Sequence, residues 1–276
     1  MPTLQSLAAV HSTTVLDRTE LAPGVLLLGV HAPNLVHVTR PGQFVMVIPP
    51  HGERAAVALG IYEASGDRAS IMFFVAGPRT AELATLRPGD PLDLTGPLGN
   101  GFDLSANVGT VAIVAGGVGI ASVLLPAQAL VAAGAAVHLY YGARTLELLV
   151  DKDKFAENGV ALHCATDDGS YGHRGYVTGL LENAVPKPDL ILACGPSPML
   201  RATARVAEKL NVPAQLSLEE TFACGVGGCW GCTVPLDRRS AQAPNFPGAD
   251  AGGSEIVNAR ICKEGPVFWA HELRWQ

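Results

Sequence analysis

Charged and aromatic side chains are scarce in this sequence. Only 16% of the 276 residues are Asp, Glu, Lys or Arg, and only 6% are Phe, Trp or Tyr. The net charge is −6 and no dense run of Lys or Arg occurs, which argues against nucleic acid as a partner. Met1–Val10 lacks both a basic start and a sustained apolar run, so no secretory signal peptide is predicted. We therefore expect a cytoplasmic protein in a reducing compartment.

A long stretch without Asp, Glu, Lys or Arg runs from Leu104 to Ala143. A transmembrane helix would need about 20 predominantly apolar residues in one helix. Glycine and proline instead divide this stretch into a strand, a turn, a helix and a second strand, at Gly116, Gly117, Gly119, Pro126 and Gly134. No membrane span is expected. The 276 residues are enough for two domains and a small third, and because 48% of them are hydrophobic, a substantial core is available.

Residues 1 to 105 alternate short apolar runs with turn signals such as Arg40–Gly42 and Arg87–Asp90. Many short strands at regular spacing predict an antiparallel β-barrel. The predicted elements are strands at Val25–Val30, Phe44–Ile48, Ala56–Tyr62, Ser70–Val75 and Pro91–Thr95, and one short helix at Arg79–Leu86.

From Val108 the pattern changes to alternating strands and helices, which predicts a doubly wound parallel sheet. The helices are predicted up to Ala133, at Thr145–Asn158, from Tyr176 to Leu181 and at Pro198–Leu210. The strands are predicted at Thr110–Ala115, Ala136–Tyr141, Val160–Ala165, Leu190–Cys194 and Ala214–Leu218.

Three loops follow strands of this predicted sheet at the edge where ligands bind. Gly116, Gly117 and Gly119 open a helix after a strand, so their backbone can approach a diphosphate; an ordinary glycine turn is the alternative. Cys194–Met199 is a second junction of strand and helix. Thr166–Tyr171 is the third loop and contains Asp167 and Asp168, for which turn formation is the alternative to a role in binding.

A fourth candidate lies in the predicted barrel, where Gly77–Thr80 precedes the short helix. Thr80 can offer its hydroxyl, and the helix its first N–H groups, to a second diphosphate. The alternative is an ordinary N-cap. Gly96–Phe102 links the barrel to the sheet and is read as a tight interdomain turn.

Four cysteines near the C-terminus carry the most specific signal. Cys224, Cys229 and Cys232 follow the spacing Cys-x4-Cys-x2-Cys, and Cys262 stands far behind them. This is the spacing of a plant-type [2Fe–2S] cluster, and the glycines between the cysteines allow a sharply turned loop. Zinc, disulfides and free thiols are the alternatives. Cys164 lies outside the pattern and is read as a buried strand residue, and residues 237–255 as an exposed loop.

In this order, the segments resemble the ferredoxin-reductase superfamily, and more closely the electron-transfer subunits of class 1B dihydroorotate dehydrogenases. The resemblance spans nearly the whole chain and is most specific at Gly96–Phe102, Thr166–Thr178, Ala193–Leu200, Leu218–Cys232 and Arg260–Phe268. It implies a β plus α/β multidomain fold with an FAD-binding β-barrel at 1–105, a doubly wound NAD-binding sheet at 106–213 and a small [2Fe–2S] module at 214–276.

The resemblance also implies functional roles. NAD exchanges hydride with FAD beside Cys194, the expected catalytic residue, together with Gly195 and Met199; Asp168 is expected to contact a cofactor. Electrons reach a separate FMN-containing catalytic subunit, which oxidises dihydroorotate to orotate, in a heterotetramer. Trp230, Phe268, Trp269 and Trp275 flank the cluster segments and are read either as the partner contact or as local packing.

One departure from the family concerns the flavin. The family usually shows an Arg-Pro-Ile-Ser motif or similar, whereas this chain has Arg54, Ala55, Ala56, Val57 and Ala58. Ala58 stands where the serine would be, so a hydroxyl near the flavin is missing. Backbone contacts of this segment, with Gly77 and Thr80, are expected to hold FAD instead.

Two other functions remain open. The same module can serve another complex, of the hydrogenase, sulfur reductase or ferredoxin–NAD(P) reductase type. Alternatively, the chain is a non-catalytic metal-binding protein that has lost its flavin. The choice between NAD and NADP is open too, because no acidic residue stands in an obvious ribose-binding position after Ala136–Tyr141, and Arg144 is placed to meet a 2′-phosphate.

Overall fold

Six antiparallel strands close into a barrel in the computed structural model, which describes residues 9–51, 55–239 and 255–275. Around the barrel the order is β1-β2-β5-β4-β3-β6, and two short helices, α1 (Pro33–Val36) and α2 (Pro78–Leu83), lie between strands. The strands are β1 (Ala9–Ala22), β2 (Val25–His31), β3 (Phe44–Ile48), β4 (Val57–Ser65), β5 (Arg68–Phe74) and β6 (Pro91–Leu98).

The predicted barrel is therefore confirmed, but the sequence pattern missed its longest strand. β1 has 14 residues, most of them exposed or half-buried, so it lacks the apolar alternation that reveals a strand. Its pairing with both β2 and β6 closes the barrel.

The second unit is a parallel sheet with helices on both faces, as predicted. Its strands are β7 (Thr110–Gly116), β8 (Ala136–Ala143), β9 (Ala161–Thr166), β10 (His173–Arg174), β11 (Leu190–Cys194) and β12 (Ala214–Ser217), in the order β10-β9-β8-β7-β11-β12. Helices α3 (Leu124–Ala132) and α4 (Lys152–Glu157) contribute to the core on one face. Helices α5 (Val177–Glu182) and α6 (Ser197–Leu210) contribute to the core on the other.

Two predicted helices are broken. Residues 117–122 form a 3₁₀-helix before α3, and the helix predicted at 145–158 is divided into a 3₁₀ turn at Leu146–Leu148 and α4. Asp151 causes the second break because its φ of 53° is left-handed and cannot continue an α-helix. Cys164 is buried in β9, as expected.

The C-terminal region combines a small hairpin with an edge strand of the large sheet. β13 (Thr233–Asp237) pairs antiparallel with β14 (Ile256–Arg260), α7 (Ile261–Glu264) follows, and β15 (Val267–Trp269) pairs antiparallel with β12. Residues beyond 213 thus extend the sheet, so its hydrogen bonds cross the predicted boundary between the second and third units. The division at 105 and 213 otherwise stays a prediction, and most of the loop predicted at 237–255 lies outside the described residues.

The linker Gly96–Phe102 ties the barrel to this C-terminal region. The Asn100 backbone N–H donates to Gly265 O at 2.7 Å, and its side-chain amide donates to Val267 O at 2.7 Å. The Val267 N–H donates back to Asn100 Oδ1 at 3.1 Å. The segment read as an interdomain turn therefore joins three parts of the molecule.

Candidate dinucleotide cleft and cysteine loop

A cavity of about 640 Å³ opens at the carboxyl ends of the parallel strands. Its walls come from the ends of β7, β8 and β11, from the starts of α5 and α6, and from Val25 and Phe74 of the barrel. Two predicted diphosphate glycines, Gly116 and Gly117, lie in this wall. This is the edge of a parallel sheet at which ligands bind.

The two strand ends that were expected to cooperate are in direct contact. A Cβ atom added at Gly116 would lie 2.6 Å from Met199 Sδ, and one added at Gly195 would lie 2.7 Å from Met199 Cε. Gly119 packs still closer, since its added Cβ would be 2.4 Å from the carbonyl oxygen of Cys194. The glycine turn is therefore pressed onto the end of β11, and the sequence prediction that Gly116–Gly119 and Cys194–Met199 form one site agrees with this geometry.

Cys194 itself lies beneath the cavity wall and is 1% exposed. Its thiol donates to Glu219 Oε1 over 3.6 Å. Burial raises the pKa of this thiol far above its ordinary value, and the Glu219 carboxylate adds to the shift. Cys194 is therefore a neutral hydrogen-bond donor, and Glu219, which lines the cavity, is the group next to it that a ligand can reach.

Protein atoms around the Glu219 carboxyl raise its pKa above the ordinary value, although the residue as a whole is exposed. The structure thus adds Glu219 to the site, and its catalytic use, like that of Cys194, stays a prediction. A sequence signal for Glu219 existed, because it follows the last parallel strand by two residues.

The loop after β9 separates its two aspartates. The carboxylate of Asp168 accepts hydrogen bonds from Ser170 N at 2.9 Å and Ser170 Oγ at 2.7 Å, which is the turn-forming alternative. Asp167 lines the cavity instead, beside Arg144. The expected cofactor contact at Asp168 therefore has no support in this geometry, and its neighbour occupies the wall.

In the barrel, the Thr80 hydroxyl is engaged locally. It accepts from Ala76 N at 2.9 Å and Gly77 N at 3.1 Å and donates to Gly77 O at 3.0 Å. This is the N-cap alternative. A phosphate contact at Thr80 stays a prediction that would have to use backbone groups, whereas Gly77 has open space where a side chain would be.

The segment expected along the flavin ring is partly open to solvent. Ala55 is exposed, Ala56, Val57 and Ala58 are half-buried, and Arg54 lies outside the described residues. Arg79 Nη1 donates to Ala56 O at 2.8 Å and so fixes this segment against α2. Arg79 lies in the segment Gly77–Thr80, where the sequence pattern assigned it no role, and its hydrogen bond to Ala56 O shows that it positions the neighbouring segment.

The four cysteines of the predicted cluster lie near one another. The side chain of Cys224 interacts with that of Cys229, and the side chain of Cys262 interacts with those of Cys232 and Cys224. Backbone N–H groups point at the sulfurs: Gly228 N lies 3.3 Å from Cys224 Sγ, and Cys262 N lies 3.5 Å from Cys232 Sγ. No disulfide joins any of the six cysteines, all of which lie among the described residues.

The pKa values of Cys224 and Cys262 are shifted in opposite directions. Burial tends to raise the pKa of the Cys224 thiol, but the loop N–H groups, led by that of Cys229, outweigh it and lower the pKa to about 6. Burial, with the help of Cys232, raises the pKa of Cys262 to about 12. In the described part of the chain, no three His, Cys, Asp or Glu side chains are grouped closely enough for a single metal ion.

The cysteine loop rests directly on the barrel. Gly225 has a φ of 68°, and a Cβ added there would lie 2.5 Å from Met46 Sδ in β3. The rings of Phe44 and Phe222 meet with centroids 5.1 Å apart. Two residues of β3 therefore touch the loop at its start.

Arg260 clamps the loop from the other side and was not singled out from the sequence. Its Nη1 donates to Gly227 O at 2.7 Å, its guanidinium lies 4.5 Å from the Trp230 ring centroid, and it forms an ion pair with Glu264. The sequence signals were its position two residues before Cys262 and its place in the stretch Arg260–Phe268, where the family resemblance is specific.

The four aromatic residues proposed as a partner contact differ in how far their side chains are exposed to solvent. Phe268 is 4% exposed and belongs to the core, while Trp269 and Trp275 are half-buried. Trp230 alone of the four is exposed, at 42%. Local packing therefore accounts for Phe268, and only Trp230 is available as an open contact.

None of the helices in the described part of the chain is long and apolar enough to cross a membrane. Residues 113–205 match the model of the oxidoreductase NAD-binding domain family. This range contains the glycine turn and most residues that line the cavity, but not Val25, Phe74 and Glu219.

Curated relatives match most of the chain. A protein of Clostridium acetobutylicum is 37% identical over 240 residues, 85% of this chain and 86% of its own. One of Enterococcus faecalis is 33% identical over 268 residues, 94% of this chain and 96% of its own. Both carry the name dihydroorotate dehydrogenase B (NAD(+)), electron transfer subunit.

Solved structures share the architecture. An NADH-dependent reduced ferredoxin–NADP oxidoreductase superposes with a TM-score of 0.82 at 29% identity, covering 98% of this chain and 92% of that one. A ferredoxin NADP+ reductase of Neisseria gonorrhoeae, solved with FAD and NADP, has a TM-score of 0.64 at 19% identity, over 74% of this chain and 92% of that one. The second likeness concerns the fold alone.

Proposed function

The chain belongs to the family of dihydroorotate dehydrogenase B electron transfer subunits, and we propose that it carries electrons between NAD in the cleft and a separate catalytic subunit beyond the cysteine loop. Its oxidoreductase character and NAD linkage follow from the family. The route, the ligand residues and the partner assembly are the proposal.

One observation carries the proposal: the barrel touches both candidate sites. Val25 and Phe74 of the barrel line the dinucleotide cavity, and Met46 of the barrel touches Gly225 of the cysteine loop. A redox group held by the barrel would therefore lie between the two. This arrangement suits a protein that relays electrons.

FAD, when bound, exchanges hydride with NAD and single electrons with an iron–sulfur cluster. The chain's own residues position the reactants. The backbone of Gly117, where an added Cβ would meet nothing within 4 Å, is open to the dinucleotide diphosphate, and Gly116 beside it lines the same wall. Glu219, held by the thiol of Cys194, presents a carboxyl to the cavity.

The segment Ala55–Ala58, which is half-buried from Ala56 onward, fits one face of a flavin ring, because it offers apolar atoms and backbone polar groups without a bulky side chain. Arg79 holds this segment in place through Ala56 O. Ala58→Ser would add the missing hydroxyl. We expect it to change flavin retention or the flavin potential, and an unchanged value for both would remove Ala58 from the site.

The donor set of the loop fits a [2Fe–2S] cluster better than zinc. A two-iron cluster takes two ligands on each iron, and the closest side-chain contacts join Cys224 to Cys229 and Cys232 to Cys262 within one group of four. A single zinc ion would need all four thiolates around one point. N–H groups directed at the sulfurs suit thiolates that carry negative charge.

The partner is proposed to be an FMN-containing catalytic subunit that oxidises dihydroorotate, in a heterotetramer. The names of the relatives describe an electron transfer subunit, which implies a separate catalytic one. Trp230 and Cys229 are both exposed on the loop and would be the first groups to meet it.

A second candidate is an NAD(P)H-linked reductase for another electron carrier. The likeness over 98% of the chain to an NADH-dependent ferredoxin–NADP oxidoreductase favours it. Both candidates use the same cleft and loop and differ only in what receives the electrons.

Reconstitution separates the candidates. The chain loaded with FAD and iron–sulfur should reduce artificial dyes with NADH but leave dihydroorotate untouched, and adding the FMN subunit should couple dihydroorotate oxidation to NAD reduction. Absence of coupling with the cognate subunit, together with rapid reduction of ferredoxin, would favour the second candidate. A purified chain with zinc, no iron and no flavin absorption would contradict both and favour a non-catalytic protein.

A further inference from the structure

One strand of the barrel, β4, carries both the proposed flavin segment and a contact with the parallel sheet. Alternate residues of a strand share a face, and the inward-facing residues of β4 belong to the barrel core. On the outer face stands Ala58, the last residue of the segment proposed to hold the flavin ring. A Cβ added at Gly60, two residues on, would lie 2.6 Å from Ser122 Oγ in the 3₁₀-helix after the glycine turn. Tyr62, the next residue on this face, packs among the core residues of the sheet.

The Tyr62 hydroxyl is bonded to the sheet unit. The side chain is fully buried, and its hydroxyl donates to Oδ2 of Asp151, the residue just before α4. Burial raises the pKa of Tyr62 far above its ordinary value, and the Asp151 carboxylate adds to the shift, so the hydroxyl stays a neutral donor. Lys154 of α4 flanks this bond, with its Nζ 5.3 Å from the Tyr62 ring centroid and 2.7 Å from Glu63 Oε1. The barrel and the sheet unit are therefore joined at the end of β4.

The loop between β8 and α4 leads from this bond to the dinucleotide cavity. Leu148 and Val150 of the loop line the cavity. The Tyr141 hydroxyl lies 3.2 Å from both Leu148 O and Gly117 O. It also receives a hydrogen bond from the backbone of Val150. Tyr141 thus ties the loop to the glycine turn, and the bond made by Tyr62 ties the loop to the barrel.

Resting on the relay function proposed above, we propose that Tyr62 is a positioning residue, whose bond to Asp151 sets how the dinucleotide in the cleft meets the flavin on β4. Hydride passes from NADH to oxidised FAD with its two electrons, which leaves NAD and reduced flavin. Such a transfer depends steeply on alignment, and a misplacement of about 1 Å can slow it about a hundredfold. Tyr62 is not among the residues that line the cavity, so it acts through Asp151 and the loop.

Tyr62→Phe removes the hydroxyl and keeps the ring, so the packing of β4 should survive. In stopped-flow experiments on the flavin-loaded protein, the rate of flavin reduction at saturating NADH should fall roughly fivefold or more. The dissociation constant of 5′-ADP should stay within roughly twofold, because Tyr141 still holds the glycine turn. Hydrogen–deuterium exchange, which needs no turnover, should become roughly threefold faster in residues 146–157, since this segment loses its bond to the barrel.

Tyr140→Phe is the matched control. It removes the same hydroxyl from the opposite face of the sheet, where Tyr140 stacks on His163. Both the reduction rate and the exchange of residues 146–157 should stay within roughly twofold of the wild type, because the contact with the barrel is untouched.

Variants of Asp151 test the same bond from the other side. Asp151→Gly removes the acceptor and keeps the left-handed φ of 53°, so it should match Tyr62→Phe. The double variant should be no slower than either single one, because both changes remove one bond. Asp151→Asn keeps a carbonyl acceptor and should recover most of the reduction rate.

A wild-type reduction rate or unchanged exchange in Tyr62→Phe would overturn the positioning proposal and leave the relay function in place. Equal losses in Tyr140→Phe would overturn it as well, because the effect would then not depend on the bond to Asp151. If NADH does not reduce the flavin of the wild-type protein, the relay function itself fails and the positioning proposal falls with it.

Discussion

Gly225→Ala is the sharpest test of the contact between the barrel and the cysteine loop. The residue has a left-handed φ of 68°, and an added Cβ would lie 2.4 Å from Met46 Cγ and 2.5 Å from Met46 Sδ. Met46 cannot move freely, because it is 2% exposed and stands in β3 opposite Ala58 of β4.

The expected magnitude has two parts. A left-handed conformation costs a non-glycine residue about 1–2 kcal/mol, and forcing an extra carbon into a packed core costs about 1–3 kcal/mol. The sum of about 2–5 kcal/mol is below the usual total stability of about 5–15 kcal/mol. The chain should therefore still fold, while the cysteine loop shifts away from Met46.

Two measurements check this expectation. Iron bound per chain after anaerobic reconstitution should fall by more than half, and the thermal midpoint should fall by roughly 4–20 °C at about 2–4 °C per kcal/mol. Gly228→Ala is the control in the same loop, since its φ is not left-handed and nothing lies within 4 Å of its added Cβ. If both variants keep the same iron content and midpoint, the packing argument is wrong.

Three further predictions concern the cleft, the cysteines and the pH dependence of stability. Gly119→Ala would place a Cβ atom 2.4 Å from the carbonyl oxygen of Cys194 and so displace the backbone of the glycine turn. NADH binding should weaken roughly tenfold. Gly179→Ala is the control, since its added Cβ meets nothing within 4 Å, and it should bind NADH normally in the same titration. Cys229→Ser should lose the visible iron–sulfur absorption, whereas Cys164→Ser should keep it, and equal spectra would refute the ligand assignment. Arg68 forms an ion pair with Asp17, and its hydrogen bond lowers the pKa of the Asp17 carboxyl below the ordinary 3.8. The pair therefore stabilises the fold above that pH and ceases to do so in acid. Asp17→Asn should therefore lower the free energy of unfolding by under about 1 kcal/mol at neutral pH, because the pair is exposed, and by nothing in strong acid, as urea titrations at both pH values would show.

Local signals in the sequence predicted a large part of the fold and of the site. Turn residues and the uncharged stretch from Leu104 to Ala143 predicted the change from a β-barrel to alternating strands and helices, because such patterns reflect which residues of each element are buried. The glycine turn at Gly116–Gly119 was found because close backbone approach requires glycine.

The sequence by itself determined which chemistry is available: a glycine turn at a strand end and four cysteines at a cluster spacing. The tertiary structure decided which side chains share a site. It placed Asp167 rather than Asp168 in the cavity, set Glu219 against Cys194, and pressed Gly225 onto Met46. The physical reason is that residue spacing governs geometry over a few positions, whereas contacts between distant segments depend on how strands pair and units pack.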